Sequence, residues 1–472
     1  MRRLTALAFV LAIVSATAPA TLWSAPTGTN VAQVPIDESR AAAAGIRKLA
    51  GRHLVLYTDV PSGPEVDSLP ALFDAAVPLW ADYFGVDPAT TDEWRVQAFL
   101  IRDRDRFAAL QLLPADRELV NGYAGASDIW VVDQPSDYYR RHLLLHEGTH
   151  AFMTTFLGGC GPGWYSEGMA ELLATHRLGA GGRPAAQVPR PGAGSREPGG
   201  GGERVLRSEN DSRPLYLVLD IMPRSREEVP MLGRIKLVRD AVAAGDALSI
   251  DAILAIDGRR QQEPQAYAWC WTLAKFLDSH PRYRDKFHEL TRHVSDPDFN
   301  VRVREAYQAE WPELAAEWQA YVQTLDHGYD FERMAIDFKP GVPHSGKRQV
   351  DIAADRGWQS AGVALEAGKK YRVRARGRYQ VGLEDGKAWP CEAGGVTLEY
   401  HEGHPLGMLL GAIVPESEGT RPAEAGLAAP FEIGLGCELA PKTSGTLYLR
   451  VNDSPAKLGD NRGRLTIEVE PR

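Results

Sequence analysis

Cysteine is scarce in this chain: four among 472 residues, at positions 160, 270, 391 and 437, with no two in a CxxC pair. That scarcity argues against a thiolate zinc site and a dithiol redox centre, which need closely paired cysteines. A basic excess is absent too. Lys and Arg total 53 against 62 Asp and Glu, a formal net charge of −9, which argues against nucleic acid as a partner. Long apolar runs are missing beyond the first residues. Arg2 and Arg3 precede an apolar stretch from Leu4 to Val14, and small residues follow through Ala18-Pro19-Ala20. This order predicts a signal peptide over residues 1–20, and hence a secreted or periplasmic chain without stable membrane insertion. The alternative, a membrane anchor, needs about 20 apolar residues. Export makes the cysteines candidates for disulfides. Three pairings are open, of which domain order favours Cys160 with Cys270 and Cys391 with Cys437; four isolated buried thiols are the alternative.

What is present falls into an α+β pattern. Residues 21–50 read as an N-terminal extension, loosely ordered from about Thr21 to Arg40. From 51 to 177, strand patterns at His53–Thr58, Trp94–Ile101 and Ser127–Val132 alternate with helical ones at Val66–Phe84, Asp105–Leu113 and Tyr139–Leu157, the last capped by Ser136. Residues 178–212 are rich in Gly and Pro and predict a flexible surface insertion, disordered or a lid over a nearby cleft. Helical spacing returns over 213–336, as at Leu232–Ala244, Ala266–Leu277 and Tyr283–Val294 and around Trp318. A linker at 337–348 leads to short alternating strands over 349–472, which predict an all-β sandwich.

One stretch carries chemistry. In His146-Glu147-Gly148-Thr149-His150 the two imidazoles are four residues apart and share a helical face, so both reach one ion with Glu147 beside its open position. Seventeen residues after His150, beyond a turn near Gly158 to Gly163, Glu167 lies on a second helix and is the candidate third ligand. Glu171, one turn on, is placed to accept the second ring N–H of a ligand histidine, His146 first among them. His142 lies one turn before His146 and reads as a surface or core residue, because a hydrolytic site keeps a position open.

Together these residues resemble the gluzincin metallopeptidases over roughly residues 50 to 330. The resemblance implies a zincin-like catalytic domain with a helical second lobe, with His146, His150 and Glu167 as zinc ligands. It implies Glu147 as the base that takes the attacking water's proton, Glu171 as support, and a peptide or protein as substrate cleaved by an endopeptidase. Tyr267, in an aromatic-rich helix, is the leading oxyanion donor; the alternative is a core tyrosine bonding its hydroxyl. The strand Asp128–Val132 is expected to form the edge that receives an extended peptide. A zincin scaffold without turnover, binding a surface or a carbohydrate, is the competing function.

The last domain resembles small calcium-dependent galactose-binding bacterial lectins through Asn452-Asp453-Ser454-Pro455 and Gly459-Asp460-Asn461-Arg462-Gly463, with Gly407-Met408-Leu409-Leu410-Gly411 upstream. That resemblance implies Asp453, Asp460 and Asn461 as calcium ligands and a carbohydrate partner. The alternative is an Asx-rich turn without metal.

Overall fold

The computed structural model describes residues 33–114, 119–180, 204–206, 215–256, 263–384, 387–415 and 426–472. The expected signal peptide and most of the 178–212 insertion lie outside them. An α+β architecture is present, with a helical region and several β-sheets. No helix among the described residues is long and apolar enough to cross a membrane.

The first sheet contains β1 (Arg47–Ala50), β2 (Leu54–Thr58), β3 (Val96–Ile101), β4 (Gly122–Ala124) and β5 (Asp128–Val132), in the spatial order β1-β2-β3-β5-β4. The middle strands β2, β3 and β5 are parallel, and β1 and β4 pair antiparallel at the margins. Parallel strands covered on both faces become continuous apolar runs, and all six residues of β3 are buried. The edge expected at Asp128–Val132 is therefore corrected. That strand lies between β3 and β4, and the short β4, too brief to show a period of two, forms the margin. The N-terminal extension is also less loose than expected. A helix spans Glu38–Ala43, and Val34 is tied down by its carbonyl, which accepts from Gln97 Nε2 at 2.9 Å.

Helix α1 (Leu69–Phe84) starts beside Pro70 and ends at Gly85, whose φ of 66° supplies the left-handed cap. Helix α2 (Asp137–Phe156) carries the two-histidine motif. Its cap is Ser136, which accepts from the Tyr139 N–H at 3.3 Å. Gly148 has a packing role: a Cβ there would come within 2.6 Å of Trp80 Cη2 and 2.7 Å of Phe73 Cε2, so its bare backbone lets α2 lie on α1.

Helix α3 (Gly163–Ala174) follows a turn through Gly158 and Gly161, both at φ 74°. Strands Arg177–Ala180, Arg204–Leu206 and Leu215–Val218 then form a three-stranded sheet at the described ends of the insertion, where sequence composition suggested irregular chain. Helix α4 (Arg234–Ala243) packs on α5 (Pro264–Ser279), and α5 packs on α3. A Cβ on Gly168 would meet Cys270 O at 2.8 Å, which sets how closely α3 and α5 approach.

Beyond Arg348 two four-stranded antiparallel sheets share one core. One holds Gln359–Leu365, Gly445–Val451, Leu409–Val414 and Phe431–Glu432; the other holds Gly436–Leu439, Tyr371–Arg376, Arg464–Pro471 and Arg348–Ala353. Val363, Leu447 and Leu449 from the first meet Val373, Leu465 and Ile467 from the second. The first sheet's outer face, at Leu410, Ala412 and Tyr448, packs with Ala320, Ile336 and Trp358.

The disulfide expectation is overturned. All four cysteines are free thiols, three of them buried. Cys160 Sγ contacts Thr154 Oγ1 at 3.3 Å, and Cys391 Sγ bonds the Glu392 carbonyl at 3.1 Å. These two thiols act locally as small apolar groups with a weak donor, which sequence spacing cannot distinguish from a half-cystine.

Candidate metal centre

Helices α2 and α3 converge so that three ligand atoms form a small triangle. His146 Nε2 and His150 Nε2 are 3.2 Å apart; Glu167 Oε2 lies 3.2 Å from the first and 3.6 Å from the second. Zinc held by four tetrahedral ligands at about 2.0–2.1 Å spaces them roughly 3.3–3.4 Å apart. The triangle has the size that ion requires, and these residues fit a divalent metal.

The outer ring nitrogens lie close to side-chain oxygens, although His146 Nδ1 is within ion-pair distance only and makes no hydrogen bond of good geometry among the described residues. His146 Nδ1 faces Glu171 Oε1 at 3.3 Å, and His150 Nδ1 contacts Ser166 Oγ at 3.2 Å. A ring N–H given to Glu171 leaves Nε2 of His146 with its lone pair turned inward, and Ser166 can do the same for His150. Two such lone pairs beside a carboxylate repel one another unless a cation sits between them.

Proton affinities follow the same crowding. Burial opposes charging of His146, but the neighbouring Glu167 and Glu171 carboxylates outweigh it and push the imidazole up to about 9. His150 is likewise raised well above the ordinary range, against burial, chiefly by Glu167. Burial would raise Glu167, yet His150 and His146 hold it far below the usual carboxylate range. Glu147 moves the other way. Burial lifts its pKa, the two imidazoles only partly offset this, and the carboxyl becomes a better proton acceptor than an exposed glutamate.

Glu147 lies under β4. A Cβ on Gly122 would come within 2.3 Å of Glu147 Oε1, so a larger residue where the strand crosses this carboxylate would push the side chain aside. Tyr267, on α5, has its ring centre 6.0 Å from that of His146. Its hydroxyl is held far above the ordinary phenol range by burial and by the charges of Glu167, Glu147 and Glu171, and stays protonated as a donor.

Sequence reasoning missed Arg234. From the first turn of α4 its Nε reaches Glu171 Oε2 at 2.9 Å and its Nη2 reaches Glu171 Oε1 at 2.7 Å. No motif flags it, and 63 residues separate the pair. His142, expected at the surface or in the core, is fully buried, with Nδ1 3.0 Å from Ala174 O and Nε2 3.2 Å from Glu171 Oε2.

A second polar cluster lies in the C-terminal loop. Asn452 Oδ1, Asp453 Oδ2 and Asp460 Oδ1 are buried without a hydrogen-bond partner among the described residues. Burial pushes the Asp453 carboxyl up to about 6, and the Asp460 charge adds to the shift. Oxygen donors of this kind suit a hard cation such as calcium. Asn461 is used differently: its Nδ2 donates to Ala354 O at 3.1 Å and its Oδ1 accepts from Gly382 N–H at 3.3 Å. The loop rests on the helical region, where Pro455 O accepts the Asp330 N–H at 3.2 Å and Leu458 joins the large core.

No known family matches the chain, and no curated protein does. Among solved structures it has a weak likeness to the N-terminal domain of EclA, a PllA-like lectin: 21% identity, 26% of this chain, 95% of that one and a TM-score of 0.20. A second likeness, to PliG of Aeromonas hydrophila, a periplasmic inhibitor of g-type lysozyme, has 12% identity, covers 28% of this chain and 96% of that one, and has a TM-score of 0.17. Neither bears on function.

Proposed function

We propose that this chain is an exported zinc-dependent peptidase, built as a zincin-like domain with a helical second lobe followed by a β-sandwich. The observation that carries the reading is the triangle of His146 Nε2, His150 Nε2 and Glu167 Oε2, whose sides of 3.2, 3.2 and 3.6 Å suit one tetrahedral ion. Zinc, when bound there, supplies Lewis acidity and lowers the pKa of water. Glu147, with its raised proton affinity, takes a proton from the attacking water and returns one to the leaving amine. Tyr267 donates its retained proton to the developing oxyanion. An extended peptide adds to the outer side of β4, beside Gly122, and is held by backbone pairing.

The second reading, a zincin scaffold that binds a surface or carbohydrate without turnover, has its own support in the unpartnered oxygens of Asn452, Asp453 and Asp460. Calcium held there would order the loop for such a partner. One experiment separates the two. The zinc-loaded full chain is offered an unstructured peptide library, with chelation and with Glu147→Gln. Peptidase action requires cleavage that chelation abolishes, and that Glu147→Gln lowers by about 10²–10⁴ while zinc stays stoichiometric. A loaded chain that cleaves no peptide and no ester, yet retains glycans in a calcium-dependent way, is the binding protein instead.

A further inference from the structure

We propose that Arg234 is a positioning residue of the metal centre: it fixes the plane of Glu171, and Glu171 in turn fixes the His146 ring. The inference rests on the reading of His146, His150 and Glu167 as zinc ligands. Each Glu171 oxygen has two neighbours. Oε1 meets Arg234 Nη2 at 2.7 Å and His146 Nδ1 at 3.3 Å; Oε2 meets Arg234 Nε at 2.9 Å and His142 Nε2 at 3.2 Å. The guanidinium fork thus grips the carboxylate edge-on, while the two imidazoles take what remains. A bidentate fork fixes orientation as well as distance, which a point charge does not.

Packing makes the grip rigid. Glu171 is 1% exposed and Arg234 8%, so water is poorly placed to replace either partner. Arg234 stands at the start of α4, immediately after Gly233 at φ 62°, and its guanidinium also lies 5.6 Å over the Tyr267 ring. One side chain therefore braces both the support of a ligand histidine and the proposed oxyanion donor.

The same contacts decide what a neighbouring group of side chains is for. His142, His146 and Glu171 bring three potential ligand atoms close enough for a second metal. Arg234 already places a positive charge on that carboxylate with two hydrogen bonds, and His142 Nδ1 is turned to the Ala174 carbonyl. This group is a bracket for the first metal, not a second site.

The test uses the full chain, stripped of metal and refilled. Zinc affinity is measured by chelator competition, and the ligand geometry by the visible spectrum after cobalt replaces zinc. Arg234→Met is expected to weaken zinc by about 10–100-fold and to alter the cobalt bands, with Arg234→Lys between it and the parent. A parent that binds one zinc, lost on His150→Ala, upholds the underlying reading. If Arg234→Met then keeps both affinity and cobalt spectrum, the positioning role alone is overturned, even where its Tm falls. Should Arg234→Met not fold, Arg234→Lys decides: affinity within twofold and an unchanged spectrum overturn the proposal. A parent that takes up no zinc overturns both.

Discussion

Around His146 the buried charges lie within ion-pair distance of opposite ones, whereas around Asp453 three buried oxygens have no hydrogen-bond partner among the described residues. Arg234 balances Glu171, and His146 and His150 balance Glu167. Further along α5, Lys275 meets Asp220 at 2.7 Å and His288 Nε2 lies 2.9 Å from Asp278, although burial and the neighbouring Asp278 still raise the Asp220 carboxyl well above its usual range. Asn452 Oδ1, Asp453 Oδ2 and Asp460 Oδ1 have no hydrogen-bond partner among the described residues, and Asn461 and the Lys457 charge offset the burial of Asp453 only in part. Desolvating a polar group without a hydrogen bond costs roughly 1–3 kcal/mol. The first region therefore holds its shape through internal pairing, while the second carries a local penalty that a cation would relieve.

The largest break in that comparison comes from the helix crossing beneath the first site. Gly168→Val places side-chain carbon where Cys270 O and Ala274 Cβ already stand, forcing α3 and α5 apart. Destabilisation of at least ~3 kcal/mol is expected, together with reduced zinc uptake because Glu167 precedes this residue on α3. Gly459→Ala in the other loop is the control. The nearest atom to its Cβ is 3.9 Å away, on Arg333, so an effect within about 0.5 kcal/mol is expected. Equal unfolding midpoints for the two variants in urea would refute the packing argument.

Acidity separates the regions next. His146 in the folded metal-stripped chain is raised to about 9, and His150 is raised also. A raised imidazole pKa contributes stability fully below the unfolded value, near 6.5, and that contribution disappears as pH rises through the folded value. Glu167 and Glu171 are depressed, so their contributions are lost only on acidification below the unfolded carboxylate range. Between pH 6.5 and 9 the stripped chain should lose about 1–3 kcal/mol, while the zinc-loaded chain, with metal in place of protons, should lose less. Thermal scans with zinc and with chelator measure this. Parallel pH curves would mean that the triangle does not exchange protons for metal.

How much of this was legible in the chain depends on what kind of signal each residue leaves. His146 and His150 share a helical face by spacing alone, and Glu167 and Glu171 share another, so local periodicity singles out the cluster. The strands at Leu54–Thr58 and Val96–Ile101 were readable because buried parallel strands are mostly apolar, Thr58 and Gln97 excepted. Arg234 was not, since an arginine at a helix start looks like any surface cation until the tertiary fold carries it to Glu171. β4 was too short for a period, and Gly122 revealed its purpose only with Glu147 beneath it. The cysteines misled for a related reason: their spacing says nothing about whether two thiols meet, and in the fold they do not.

The smallest expected effect tests the unpaired side of the comparison. Asp453 is 3% exposed, and its carboxyl is raised to about 6, mainly by burial. A raised carboxyl pKa favours the folded chain while the group is protonated, and that advantage is lost as pH climbs through the folded value. At pH 7.5 without calcium the ionised carboxylate is therefore a burden, and Asp453→Asn is expected to stabilise by on the order of 1–2 kcal/mol. Near pH 4.5 the gain should vanish, because the native side chain is then neutral in the folded state. Calcium at pH 7.5 should reverse the order, since it stabilises only a loop that keeps its negative oxygen. Unfolding midpoints of the two chains at both pH values, with and without calcium, carry the whole argument. A parent chain that is the more stable at pH 7.5 in chelator would show that Asp453 is already compensated, and the contrast between the two clusters would dissolve.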